Sequence, residues 1–238
     1  MALADLAQPT SVPGAWSELV WPAFERTVLE LLGAACKRLQ DAHTFPFHSH
    51  WEERDISWAM SRYMEGLCIE RGLSYSVRYD RHVLSDADFI AGASPKDAPL
   101  IDVCVRWTYS DPEVYFGIEA KILVGRAFRG YKPSDTVNLY VTEGVRRFVD
   151  SKYSSSLPAA AMVGYVLNGD PFKCAERINK RIRATHLKAG AIPCHRLLDP
   201  GLARLSGFAV YTSVHPRGSD SAITLHHVFV ATPLPAES

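Results

Sequence analysis

Three polar residues stand on two neighbouring apolar segments: Asp102 in LIDVCVRW, and Glu119 and Lys121 in VYFGIEAKIL. Alternate residues of a β-strand point to the same face of a sheet, so Glu119 and Lys121 are neighbours on one face. If the two segments pair through the short turn at 110–112, Asp102 can lie beside them. Two carboxylates and one ammonium group would then meet at one edge of a mostly apolar hairpin.

Two adjacent carboxylates suit a hard cation such as Mg²⁺ (or Mn²⁺), which prefers oxygen ligands and retains several waters. Such an ion polarises a phosphodiester and acidifies an attacking water. A neighbouring lysine can orient that water or stabilise the developing charge. Asp102, Glu119 and Lys121 therefore predict metal-dependent phosphodiester hydrolysis. The alternative interpretation is a set of outward-facing strand residues joined by cross-strand ion pairs.

Hydrophobic periodicity predicts the elements that position these residues. Helices are predicted over 22–41, 49–71, 136–152 and 171–184. The helix over 49–71 has Ser49 as its N-cap and Gly72 as its stop. Strands are predicted over 75–84, 100–109, 113–122, 160–168, 208–216 and 222–231. This mixed order predicts an α/β sandwich around a central mixed sheet.

The two segments together resemble the core of the PD-(D/E)XK superfamily, which includes restriction endonucleases and many repair and phage-defence nucleases. The family pattern places an Asp on one strand and D/E-x-K on the next. Asp102 matches the first position and the tripeptide EAK at 119–121 matches the second, although Leu100-Ile101 replace the proline of the name. The resemblance covers about 50–170, where a helix and a further strand follow the motif as in the family.

The resemblance implies a restriction endonuclease-like αβα sandwich and a further acidic ligand on an upstream helix. Glu53 fits that position because it shares a helix face with Ile56 and Met60, and Glu52 is its close competitor. Lys121 would assist the attacking water. The implied metal ligands are Glu53, Asp102, Glu119 and the carbonyl of Ala120.

By the same resemblance, the chain is expected to be an endonuclease in restriction or anti-phage defence. DNA is the first expectation for its substrate, and the sequence does not distinguish DNA from RNA. A protein partner in a defence complex and a homo-oligomer are both compatible with it. The alternative is a catalytically inactive member of the fold that acts as a scaffold for nucleic acid or protein, against which the intact motif argues.

Basic residues near the motif could contact the phosphate backbone. Three stretches supply them: the loop directly after the motif, the predicted helix over 136–152, and the most basic segment at 173–188. A charge run is more often a solvated helix face, and Glu143 with Arg147 could form a surface pair. The candidate nucleic-acid contacts are Arg126, Arg129, Lys132, Arg146, Arg147, Lys180 and Arg181.

Composition sets limits on the class of protein. Lys plus Arg number 26 and Asp plus Glu number 26, so a nucleic-acid binder of this composition needs a local basic groove. The five cysteines are odd in number and form no C-x-x-C, which favours reduced thiols in the cytoplasm over zinc or disulfides. No apolar run is long enough for a bilayer, and the N-terminus is not a secretory signal.

The chain is expected to form one compact unit, with a helical segment at 1–48 and the nuclease-like domain, including a C-terminal hairpin, at 49–238. Histidines occur in two groups outside the motif. Packing or surface roles are the preferred interpretation for His43, His48 and His50. A polar edge with an accessory site is the hypothesis for the C-terminal hairpin, which carries His215, Arg217, His226 and His227.

Overall fold

A computed structural model describes most of the chain. It covers residues 20–41, 52–82, 100–107, 115–150, 152–153, 157–186, 196–200, 208–217 and 221–231. Its α-helices are α1 (Trp21–Asp41), α2 (Glu53–Glu70), α3 (Pro133–Leu139), α4 (Arg146–Val149) and α5 (Pro171–His186). A π-helical segment, Tyr140–Val145, joins α3 directly to α4. Its strands are β1 (Tyr75–His82), β2 (Leu100–Trp107), β3 (Phe116–Val124), β4 (Ala159–Asn168), β5 (Arg196–Pro200), β6 (Ala209–Arg217) and β7 (Ser221–Ala231).

The strands form one seven-stranded sheet in the order β1-β2-β3-β4-β7-β6-β5. The three central strands β3, β4 and β7 are parallel, and the pairs at both ends are antiparallel. Every residue of β4 is buried, as expected for a parallel strand covered on both faces. The prediction of an α/β protein with a mixed sheet is therefore confirmed.

Helices lie on both faces of this sheet, which is compatible with an αβα sandwich. Consecutive residues of a strand point to opposite faces. In β7, His226 lies 2.6 Å from Glu25 of α1, whereas the next residue, His227, lies 2.9 Å from the hydroxyl of Tyr140. Ser57 of α2 and Tyr165 of β4 are within hydrogen-bond distance on the α1 side.

Several element boundaries differ from the predictions. Helix α2 begins at Glu53 instead of 49, because Glu52 is its N-cap and forms a reciprocal capping box with Asp55; Ser49 lies outside the described residues. Helix α3 begins three residues early, since Pro133 is well suited to a first helical turn. Strand β3 begins at Phe116 instead of 113. Strand β5 was not predicted at all.

Within the described ranges, no helix is both long enough and apolar enough to span a membrane. Four cysteines are buried free thiols, and Cys194 lies outside the description. The four are Cys36, Cys68, Cys104 and Cys174.

Candidate active site

The candidate site lies where β2 and β3 separate. The two strands pair only from Val103–Ile118 to Val105–Phe116. Beyond this point, the backbone N–H groups of β3 that would face β2 bind carboxylates instead of β2 carbonyls. The Ala120 N–H donates to Asp102 Oδ2 at 2.7 Å, and the Ile122 N–H donates to a Glu53 oxygen at 2.9 Å. Side-chain oxygens thus take the place of the β2 carbonyls.

We call this opening the acidic cleft and define it by Glu53, Asp102, Glu119 and Lys121. Lys121 Nζ lies 2.8 Å from Glu53 Oε1, 2.9 Å from Glu119 Oε1 and 2.7 Å from the carbonyl oxygen of Ala120. Lys121 therefore places a positive charge among three oxygens from three residues. The structure also separates the two competing glutamates, since Glu53 enters the cleft while Glu52 caps the helix.

Electrostatics in the cleft are dominated by excess negative charge. Burial raises the pKa of Asp102 to about 7, helped by the charge of Glu119, while Lys121 and the Ala120 N–H act in the opposite direction. Burial also raises the pKa of Glu119, whose side chain is 2% exposed, against the lowering effect of Lys121. Burial lowers the pKa of Lys121, but the surrounding carboxylates outweigh it and the net shift is upward. Perturbed carboxylates in a cleft are typical of functional sites.

A tyrosine that the sequence did not reveal holds the second oxygen of Glu119. The Tyr153 hydroxyl donates to Glu119 Oε2 at 2.8 Å and accepts a hydrogen bond from Arg147 at 3.1 Å. Arg147 also lies 3.6 Å from Glu119 and 2.8 Å from Glu143. Tyr153 follows the helical region with no periodic or charge pattern around it, so no signal in the sequence pointed to it.

A pocket of about 280 Å³ opens on the Lys121 side of the cleft. Glu53 and Lys121 of the cleft line it together with Tyr131, Thr136 and Leu139. The site is therefore open to a ligand on the side where its ammonium group lies.

The predicted basic contacts fall into two groups. Arg126, Arg129, Lys132 and Lys180 are exposed, and none forms an ion pair with a carboxylate of the described residues. The others are engaged within the protein: Arg146 with Asp150 at 3.1 Å, Arg147 with Glu143 and Tyr153, and Arg181 with the side-chain oxygen of Asn138.

The donors in the cleft suit a hard divalent cation. Asp102, Glu119 and Glu53 offer carboxylate oxygens, and Ala120 offers its carbonyl, which already binds a cationic group. Mg²⁺ keeps several waters and needs only one or two protein carboxylates, so this donor set fits it. Over the described residues, however, no group of three or more His, Cys, Asp or Glu side chains is arranged to hold a metal ion.

The histidines of the C-terminal hairpin are buried instead of forming an exposed edge. Tyr140 lies 2.9 Å from His227 Nδ1, His227 Nε2 lies 2.7 Å from Ser213 Oγ, and Ser213 Oγ lies 2.7 Å from His215 Nε2. We call these four residues the histidine network. All are fully buried, so the hypothesis of an accessory surface site there is wrong.

Arg217 at the end of β6 is also buried and donates to the carbonyls of Phe148 and Leu157 at 2.9 Å. These contacts give it a structural role. The other group, His43, His48 and His50, lies outside the described residues. Comparisons of the chain with protein-family models, curated proteins and solved structures find no match.

Proposed function

We propose that this chain is a metal-dependent nuclease that hydrolyses phosphodiester bonds in the acidic cleft. The observation that carries the proposal is the convergence of Glu53, Glu119 and the Ala120 carbonyl on one cationic point, with Asp102 bound to the same strand segment. Each of these groups is one that the PD-(D/E)XK resemblance assigns to the active centre. The convergence joins residues separated by up to 68 positions in the chain.

Asp102, Glu119 and the Ala120 carbonyl would hold Mg²⁺ or Mn²⁺, with Glu53 as the helix ligand. When bound, such an ion supplies Lewis acidity to a phosphate oxygen and lowers the pKa of a water. Tyr153 restrains one oxygen of Glu119, which leaves the other directed towards Lys121. Lys121 lines the pocket, and its three N–H groups meet Glu53, Glu119 and the Ala120 carbonyl. Once those oxygens bind a cation, the ammonium group would be displaced from them and would then donate to a water or to a phosphate oxygen.

Charge on the surrounding surface supports a polyanionic substrate. Arg126, Arg129 and Lys132 follow the cleft directly along the chain and are exposed. Arg177 of α5 donates to the carbonyl of Gly125 at 2.8 Å, which brings the basic helix α5 against the same loop. Because the whole chain has no net charge, this local group of cations is what would attract a phosphate backbone.

DNA in a restriction or phage-defence setting in the cytoplasm is the proposed context, with a protein partner that selects the target. This context rests on the family resemblance alone. A second candidate function has its own support: Lys121 bridges Glu53 and Glu119 as a closed ion-pair triad. That arrangement would also suit an inactive member of the fold that binds nucleic acid or protein as a scaffold.

Cleavage assays distinguish the two functions. The full chain is incubated with plasmid DNA and with labelled single- and double-stranded DNA and RNA, in Mg²⁺, in Mn²⁺ and in EDTA. The nuclease is expected to cleave only with a divalent ion, and Asp102→Asn is expected to abolish cleavage. A matched control is Asp41→Asn, because Asp41 pairs with Lys37 on the exposed surface of α1, away from the cleft residues. Failure of the wild-type chain to cleave any substrate in either ion would overturn the nuclease and favour the scaffold.

A further inference from the structure

A short turn fixed by two backbone hydrogen bonds contributes Tyr131 to the lining of the pocket. The N–H of Phe128 donates to the carbonyl of Tyr131 at 3.0 Å, and the N–H of Tyr131 donates to the carbonyl of Phe128 at 2.9 Å. The two residues between them have left-handed backbones, with φ of 49° at Arg129 and 81° at Gly130. The guanidinium of Arg129 lies 4.8 Å from the centre of the Phe128 ring, which restrains the turn further.

This turn presents an aromatic ring next to the candidate catalytic lysine. Tyr131 is 36% exposed and lines the same pocket as Lys121. Leu139 of α3 is also exposed and lines that pocket, so part of the lining is apolar. An exposed tyrosine held by its backbone offers a flat face with little loss of side-chain freedom on binding.

Three cations that have no carboxylate partner among the described residues lie close to this ring in the chain. Arg126, Arg129 and Lys132 flank it in the chain, whereas the basic residues of α1 and α2 on the other side of the sheet are largely paired, as Arg38 is with Glu70 and Arg62 with Glu65. A second exposed aromatic residue, Phe172, is 62% exposed in the first turn of α5. Helix α5 reaches the loop through the contact of Arg177 with Gly125.

Aromatic faces interleaved with unpaired cations are the features that bind single-stranded nucleic acid. Unpaired bases can leave their neighbours and stack on a protein ring, whereas the bases of a duplex are already stacked on each other. Double-stranded substrates would use the cations but not the exposed face of Tyr131.

We propose that the Phe128–Tyr131 turn is a stacking platform for a single-stranded substrate, with one unpaired base on the ring of Tyr131 and the adjoining phosphodiester at Lys121. This inference rests on the proposed function for its catalytic meaning, since it names the substrate class of the same site. In this proposal, Tyr131 distinguishes single strands from double strands. Arg126, Arg129 and Lys132 contact the phosphate backbone, which both forms share.

Binding measured without cleavage tests the platform. The full chain is titrated in EDTA against fluorescently labelled single strands and matching duplexes, each as DNA and as RNA, and the anisotropy gives Kd. Tyr131→Ala is expected to weaken single-strand binding about 5- to 150-fold, the equivalent of one lost stacking contact, and to leave duplex binding unchanged. Tyr131→Phe keeps the ring and should bind as the wild type does.

Trp58→Ala is the matched control, because Trp58 is 54% exposed but does not line the pocket. Equal loss for single and double strands in Tyr131→Ala, or no loss for either, would overturn the platform. Thermal unfolding of each variant shows whether the fold is intact. The two proposals can be contradicted separately. Cleavage with Mg²⁺ without Tyr131-dependent binding would contradict the stacking platform alone. Tyr131-dependent binding without cleavage would contradict the nuclease alone.

Discussion

Two polar regions lie on the same face of the sheet, one strand apart, and they differ in charge and in access to solvent. Glu119 pairs with Met162 of β4, and Met162 pairs in turn with His227 of β7. The acidic cleft holds three carboxylates against Lys121 and opens to a pocket. The histidine network is fully buried and consists of hydroxyl and imidazole groups in mutual contact.

The contrast lies in how each region meets the cost of burying polar groups. Burial lowers the pKa of His227 well below 6.5, so that imidazole is neutral and its contacts satisfy it. Burial raises the pKa of Asp102 and Glu119, while the ammonium group of Lys121 acts in the opposite direction on both and favours their charged forms. A polar group that is neutral and paired adds to stability. Acids that share one ammonium group leave charge that a cation or a substrate can use.

Among the changes that compare the two regions, the largest expected effect comes from Lys121→Ala in the acidic cleft. Loss of a preorganised donor lowers the rate of the chemical step by about 10²- to 10³-fold. Single-turnover cleavage with saturating Mg²⁺ measures this. Lys37→Ala, which removes an exposed lysine paired with Asp41 on α1, is the matched control and should cleave normally. Normal cleavage by Lys121→Ala would show that Lys121 has only a structural role, like the residues of the histidine network.

A smaller effect is expected from Tyr153→Phe, which removes only the hydroxyl that holds Glu119 Oε2. Residues that orient a metal ligand contribute about 10- to 100-fold to metal affinity or activity. Titration with Mn²⁺ by calorimetry should therefore show weaker binding. The apparent melting temperature without metal serves as the check for folding. Unchanged Mn²⁺ affinity in a folded variant would show that Tyr153 only packs against the site.

The smallest effect on cleavage is expected from His227→Leu in the histidine network. This change leaves the buried Tyr140 hydroxyl without its partner, which lowers the free energy of unfolding by about 1–3 kcal/mol. Denaturant unfolding measures that loss. The cleavage rate per folded molecule should stay at the wild-type value, and a lower rate would show that the two regions are coupled.

The pH dependence of the same variant sharpens this result. The folded pKa of His227 is depressed, so below about pH 6.5 the unfolded chain binds a proton that the folded chain does not. The wild type therefore loses stability from this residue as pH falls through 6.5, by at most about 1.4 kcal/mol per pH unit. His227→Leu has no imidazole at this position and does not lose stability in this way. The difference in the free energy of unfolding between the wild type and His227→Leu should therefore become smaller as the pH falls. A constant gap from pH 7.5 to 5.5 would contradict a neutral buried imidazole.

The strands of the cleft could be predicted because their pattern is local. Alternation put Glu119 and Lys121 on one face, and the hairpin put Asp102 nearby. The choice of Glu53 over Glu52 could only be stated as a preference, because one residue of shift in the helix start reverses which glutamate faces the sheet. The capping box at Glu52 and Asp55 settles that start.

The remaining site features depend on contacts between distant residues. Tyr153 reaches Glu119 across 34 positions, and nothing in the local sequence marks it. The histidine pattern of β6 and β7 was visible, but burial depends on the helix that covers it, which the hairpin sequence does not encode. Hydrophobic periodicity predicted a helix over 136–152 but could not show that its middle is π-helical.

The π-helical segment has a consequence for how the two regions are set relative to each other. Tyr140 at its start contacts His227, and Arg147 just beyond its end contacts Glu119. Gly144 lies between them, and a Cβ there would force the end of the buried Met162 side chain to shift. If 140–145 wound as an α-helix instead, with i→i+4 in place of i→i+5 hydrogen bonds, everything after it would be turned by about 100°, roughly the rotation of one residue. The helix could then keep Tyr140 at His227 or Arg147 at Glu119 but not both, so the π-helical turn sets the one rotation of the helix that serves both regions.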